Sequence, residues 1–264
     1  MAKTVLIPAA GAGSRFTQAG ITTPKPLITV EGRTLLEHTL TSFSWNSGDQ
    51  LILAVQRQHR IHEQLNPVLR QTHPDLSIHW VELDTLLPGQ LATATAAVQA
   101  CPLTPNQILL IHNCDTGFRW NDQLGVIQGS AAMAVFEAEG DHWSFGRPHP
   151  EDPERAIAIA EKQRISSLAS IGLYGFRSTS HFLSRAQRQL SQGTKVRGEH
   201  YIAPMLQQCL EAGENVRLPR VNGVRLYGTP QELCITFGIS LEQLKNQNGG
   251  SLANHPQGSQ AALN

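Results

Sequence analysis

The sequence predicts an α/β fold, a three-layer sandwich with helices on both faces of a mostly parallel, mixed central sheet. Short apolar runs bounded by turn signals recur through the first half, at 5–7, 51–55 and 107–112. Segments with apolar residues at helical spacing lie between them. Such alternation needs crossover connections, which lay helices over both faces of parallel strands. With 264 residues, 40% of them hydrophobic, the chain can bury a core of that size.

The elements follow in order. Residues 4–9 predict a strand, and 33–43 a helix with Leu35, Leu36, Thr39, Leu40 and Phe43 on one face. A buried strand follows at 51–55, a helix at 60–71, a strand at 77–82, an Ala/Thr-rich helix at 90–100 and a strand at 107–112. Another strand is expected at 131–136. The rhythm then changes. Gly146, Pro148, Pro150 and Pro153 mark turns, followed by strands at 155–160 and 169–176. Ser178 is placed to cap a helix carrying Phe182, Leu183, Ala186 and Leu190, and 201–212 forms a further helix. Residues 1–240 read as one domain, with 241–264 a polar, mobile tail.

Charge and cysteine content narrow the function. Twenty-one basic and 21 acidic residues cancel, so there is no basic excess for nucleic acid or an anionic membrane surface. Cys101, Cys114, Cys209 and Cys234 lack Cys-x-x-Cys spacing, which argues against a zinc site and a disulfide framework. No apolar run is long enough to span a membrane, and the N-terminus leads straight into a strand, so a cytoplasmic protein is expected. Trp45, Trp80, Trp120 and Trp143 read as packing residues, and His112 as a satisfied strand-end histidine.

The most informative stretch is Ala9-Ala10-Gly11-Ala12-Gly13-Ser14-Arg15, directly after the first strand. Small residues let backbone amides approach phosphate oxygens, and Arg15 and Lys25 bring cations to the same mouth. Phe16 stands where a dinucleotide fingerprint wants its third Gly, and no Walker Gly-Lys-Ser/Thr follows. Together with Pro24-Lys25-Pro26-Leu27, the loop resembles the nucleotidyltransferase family that includes the sugar-1-phosphate nucleotidylyltransferases. The resemblance implies the nucleotide-diphospho-sugar transferase fold. It also implies an NTP and a phosphorylated small-molecule acceptor as substrates, Mg²⁺ as cofactor, and homo-oligomers as a common assembly. Surface-glycan precursor synthesis is the pathway it suggests. Ala9, Ala10, Gly11, Ala12, Gly13 and Ser14 would hold the triphosphate, and Arg15 and Lys25 would neutralise it.

Asp115 lies just past the strand at 107–112, at the sheet edge where open α/β sheets bind ligands. A carboxylate there suits Mg²⁺, a hard cation that prefers oxygen. By resemblance, Asn113-Cys114-Asp115 matches the family's Asn-Gly-Asp and Asp115 is the metal ligand, with Cys114 replacing the Gly. Gly89, Gln90 and Thr93, at a helix N-terminus, would line the nucleotide pocket. Glu161 and Lys162 would contact the acceptor, with Lys162 on its phosphate. Gly172, in the segment 169–176, would let backbone approach it. The segments at 197–204 and 228–233 complete a resemblance running from about residue 4 to about 237.

One departure stands out. Many members carry a second metal-binding Asp two residues before the Gly of Gly-Thr, where this chain has Leu226. Either Glu199 completes the shell, or the metal rests on Asp115, phosphates and water. Three other readings stay open. They are a cytidylyltransferase for a non-sugar phosphorylated acceptor, a non-catalytic nucleotide- or sugar-phosphate-binding protein, and a glycosyltransferase of related fold. The last usually needs Asp-x-Asp, and position 113 is Asn.

Overall fold

The computed structural model describes residues 2–119, 128–193 and 195–249. Trp120 and the segment 250–264 lie outside the described residues.

Strand β1 (Lys3–Pro8) leads through the small-residue loop into α1 (Ser14–Gln18). A 3-10 turn (Lys25–Leu27) precedes a hairpin of β2 (Thr29–Val30) and β3 (Arg33–Thr34), then α2 (Leu35–Leu40). The helix expected over 33–43 is therefore shorter. Thr34 caps it through a capping box with Glu37, and the two preceding positions pair as a strand. β4 (Gln50–Gln56), α3 (Ile61–Thr72), β5 (Ser77–Leu83), α4 (Gln90–Ala100) and β6 (Ile108–His112) follow close to expectation.

β7 (Thr116–Arg119) and β8 (Ala131–Glu137) come next. The region read as turns around Gly146 and Pro148 contains β9 (Ser144–Pro148), antiparallel to β10 (Ala156–Glu161). β11 (Leu168–Phe176), α5 (Thr179–Ser191) and α6 (Ile202–Glu211) match the predicted segments. β12 (Val216–Arg217), β13 (Asn222–Leu226) and α7 (Pro230–Phe237) follow.

The main sheet runs β10-β9-β11-β6-β1-β4-β5, with β8 paired to β11 and β12. The β6-β1-β4-β5 half is parallel, and β11 joins it antiparallel to β6. Period-2 alternation divides the strand side chains between two cores. Leu6, Ile52, Ala54, Leu109 and Ile111 face α4, α5 and α6, while Val5, Ile7, Leu51, Leu53, Val55, Ile108 and Leu110 face α2 and α3. Each such buried Leu or Ile contributes roughly 1.5–3 kcal/mol. A separate cluster joins Phe16, Ile21, Ile28, Val30 and Leu35 to Tyr227, Leu233 and Leu244.

That third cluster corrects the predicted tail. Residues 241–248 form α8 (Leu241–Asn248), opened by a Ser240–Gln243 capping box. Leu244 is fully buried, and Asn248 pairs with the Thr29 backbone, accepting from its N–H at 2.7 Å and donating to its carbonyl at 2.9 Å. A polar octamer is held by one buried leucine and one doubly bonded amide, a pattern too sparse for periodicity to reveal.

Candidate active site

Residues 9–15, Lys25, Gly89, Gln90, Thr93, Asp115, Glu161, Lys162, Gly172 and Glu199 line one cleft of about 660 Å³ at the C-terminal edge of the parallel strands. The backbone of the small-residue loop is anchored below. Ala9 donates to the Ala54 carbonyl at 2.8 Å, and the Gln56 side chain donates to the Ala10 carbonyl at 2.7 Å. Among the described residues, none accepts from the amides of residues 11–15. Phe16 is buried beneath the loop, and the Lys25 ammonium lies 5.5 Å from its ring centroid. The residue that breaks the dinucleotide fingerprint is thus a floor for the lysine.

Lys25 donates to Asp115 Oδ2 at 2.5 Å and to the Gly228 carbonyl at 3.2 Å. Burial opposes its charge, but Asp115 outweighs that and raises its pKa above the ordinary lysine value. Burial likewise opposes the Asp115 charge. Lys25, helped by His112 and Arg15, more than offsets it and holds the carboxyl below its usual range. Burial pushes the neighbouring Cys114 thiol up to about 12, so it stays protonated.

The turn that carries Asp115 is fixed from three sides. Asn113 donates from its amide to the Gly172 carbonyl at 3.1 Å, and its side-chain oxygen accepts from Gln90 at 2.6 Å. The buried His112 ring sits between the Thr116 and Gly172 carbonyls, at 2.8 and 3.3 Å, and burial lowers its pKa. Gly172 has φ +77 at a break in the β11–β8 register, and any Cβ there would overlap the Asn113 carboxamide. Gly89 opens α4 with φ +105, and a Cβ would fall 2.6 Å from the His200 amide nitrogen. Thr93 lines the cleft, but its hydroxyl donates to the Gly89 carbonyl at 3.1 Å.

A second polar group forms around Lys162, whose φ of +54 is unusual for a side-chain-bearing residue. Its ammonium donates to the Tyr201 hydroxyl and lies 4.2 Å from that ring's centroid. Burial and an acceptor carboxylate from Glu199 raise the Tyr201 pKa. Glu161 accepts from Ser144, and burial raises its pKa despite that bond. Glu199 thus belongs with Tyr201, Glu161 and Gly89. The acid beside Asp115 is instead Glu232. A Cβ built on Gly228 would lie 3.1 Å from Asp115 Oδ2 and 3.2 Å from Glu232 Oε2. Leu226 also lines the cleft, paired in register with Thr116.

The sequence reading missed Ser144, Tyr201 and Glu232. Tyr201 lay inside the quoted segment 197–204, and Glu232 inside 228–233, so position was legible but side-chain direction was not.

Residues 5–169 match the family model of the MobA-like NTP transferase domain. The chain belongs to this family. It is a nucleotidyltransferase, and its described helices include none long and apolar enough to cross a membrane. Among solved structures, it is similar to the nucleoside-diphosphate-sugar pyrophosphorylase from Vibrio cholerae RC9. That match has a TM-score of 0.81 at 28% identity, over 89% of this chain and 99% of the other. The inositol-1-phosphate CTP transferase from T. maritima superposes with a TM-score of 0.67 at 13% identity, over 93% and 96% of the two chains. The UDP-glucose pyrophosphorylase from Acinetobacter baumanii gives 0.65 at 17%, over 90% and 92%. The last two show the fold alone. None of the curated proteins matches the chain.

Among the described residues, the transferase holds one further cluster of possible ligand atoms. His181, Cys209 and Glu214 bring theirs within 4.8 Å of one another. Arg185 pairs with the Glu214 carboxylate, His181 hydrogen-bonds it at 2.7 Å, and burial pushes the Cys209 thiol up to about 12. An existing cation and a costly thiolate make this a joint between α5 and α6.

Proposed function

We propose that the protein is a Mg²⁺-dependent nucleotidyltransferase that joins an NTP to a sugar 1-phosphate, releasing pyrophosphate and an NDP-sugar. The single observation that carries this reading is the convergence of the unpaired amides of residues 11–15, Lys25 and Asp115 in one cleft with Lys162. The likeness to a nucleoside-diphosphate-sugar pyrophosphorylase supports the acceptor class.

A phosphate oxygen of the acceptor attacks the α-phosphorus of the NTP, forming the new P–O bond as the bond to the β-phosphate oxygen breaks. The acceptor phosphate is already an anion, so no side chain need take a proton. The barrier is charge repulsion and alignment, which positioned donors lower. The loop amides, Arg15 and Lys25 grip the triphosphate and the departing pyrophosphate. Lys162, steadied by Tyr201, draws in the acceptor phosphate. Gly89, Gln90 and Thr93 shape the nucleotide side, while Glu161, Gly172 and Glu199 shape the acceptor side.

The donor set fits a divalent cation. Asp115 offers carboxylate oxygen, the ligand type Mg²⁺ prefers, and the absent Gly228 side chain leaves space beside it. A cation held by Asp115 would supply neutralisation of phosphate oxygens.

Thermal unfolding with ATP, CTP, GTP, UTP or dTTP, each with and without Mg²⁺, tests the reading. Ligand at 100 times its dissociation constant adds about 2.7 kcal/mol of stability. The expected result is a Mg²⁺-dependent shift with one or two nucleotides, followed by pyrophosphate release with a sugar 1-phosphate. No shift with any nucleotide at millimolar concentration overturns it. Release only with a non-sugar phosphorylated acceptor changes the acceptor class.

A further inference from the structure

By resemblance a second metal-binding Asp is expected at position 226, and this chain has Leu there. The first turn of α7 is capped by Thr229, whose hydroxyl accepts from the Glu232 amide at 3.1 Å. In a complete capping box the third helical residue reaches back to the cap's own amide. Glu37 does so at Thr34, and Gln243 does so at Ser240. Glu232 does not. Among the described residues, its carboxylate accepts no hydrogen bond.

That carboxylate lies instead beside Asp115, the two oxygens flanking the point where Gly228 would carry a Cβ. Lys25 is bonded to Asp115 Oδ2 and the Gly228 carbonyl. No described cation is paired with Glu232.

We propose that Glu232 supplies the second carboxylate toward the divalent cation held by Asp115, replacing from α7 the acid that Leu226 denies to β13. This rests on the metal-dependent reading above. The geometry favours a residue without a side chain at position 228. An added methyl there would press on both oxygens at 3.1 and 3.2 Å.

The test is Mn²⁺ binding to the full chain, read from the electron paramagnetic resonance signal of free Mn²⁺ without nucleotide. Wild-type protein should bind one ion. Glu232→Gln should weaken binding by about tenfold or more, as loss of a partner in a metal site does. Glu232→Asp should fall between the two, and Gly228→Ala should weaken binding as well. Glu232→Gln keeps the amide that Thr229 caps, and an unchanged unfolding midpoint verifies its fold. Unaltered Mn²⁺ affinity in Glu232→Gln overturns the assignment while leaving Asp115 as a ligand. Absence of Mn²⁺ binding by the wild-type chain at millimolar concentration overturns this assignment; the metal-dependent reading falls separately, if Mg²⁺ leaves the nucleotide-induced thermal shift unaltered.

Discussion

Lys25 and Asp115, 90 residues apart in the chain, meet at 2.5 Å at the mouth of the cleft. Their side chains are 16% and 22% exposed, so water screens the contact only in part. One partner comes from the segment after the phosphate loop, the other from the turn after β6. The bond therefore ties these two distant segments together across the cleft.

The pair makes stability depend on pH in a defined direction. A carboxyl held below its unfolded value adds stability above that value and loses it as pH falls through the lowered one. An ammonium held above its unfolded value adds stability below that value and loses it as pH rises through the raised one. Asp115 and Lys25 are the two cases. Asp115→Asn should cost about 2 kcal/mol at neutral pH. The difference from wild type should hold between about pH 5 and 9 and shrink below about pH 4. Unfolding midpoints measured across that range check it; a gap that stays constant down to pH 3 would refute the coupling.

Two glycines of the cleft should respond in opposite ways to the same added methyl. Gly172→Ala forces a left-handed residue against Asn113 and should cost at least about 1–2 kcal/mol, with loss of activity. Gly11 has nothing within 4 Å of its Cβ position, so Gly11→Ala should leave stability within about 0.5 kcal/mol. It should weaken nucleotide binding, because the methyl stands beside the loop amides. Chemical denaturation and nucleotide titration of both variants separate these effects.

Lys162 should matter to the acceptor and little to the nucleotide. Lys162→Met is expected to keep the nucleotide-induced thermal shift and to cut pyrophosphate release by roughly 100-fold or more. Tyr201→Phe removes the hydroxyl but keeps the ring under the ammonium, so its loss should be smaller. A Lys162→Met protein that no longer responds to nucleotide would place this lysine on the triphosphate instead.

α8 should prove part of the catalytic unit. Asn248→Ala removes both bonds to the Thr29 backbone, which lies two residues beyond the turn bearing Lys25. A loss of about 1–3 kcal/mol is expected for the unsatisfied backbone groups. A chain ending at residue 240 uncovers the cluster around Phe16 and Tyr227 and should lose nucleotide binding with its stability. Retained binding in that truncation would detach α8 from the site.

Most of the sheet was legible because apolar runs and helical faces repeat locally. β1, β4, β6 and β11 are buried along nearly their whole length, and a buried strand announces itself by composition. β9 was missed because Gly146 and Pro148 read as punctuation, yet Gly146 lies too close to Leu218 to carry a side chain. β13 was missed because its five residues are partly or fully exposed and held by pairing to β7.

The sequence by itself determined the α/β class, the small-residue loop with Arg15 and Lys25 near it, and the acidic turn at Asp115. Each is a local pattern of a few adjacent residues, set by backbone freedom, period and charge. Only the tertiary structure decided that Phe16 underlies Lys25, that Tyr201 receives Lys162, and that Glu232 gives up its reciprocal cap bond to stand beside Asp115. Those relations join distant segments. They depend on how β11, β13 and the helices after them close around the sheet edge, and no spacing in the chain records that.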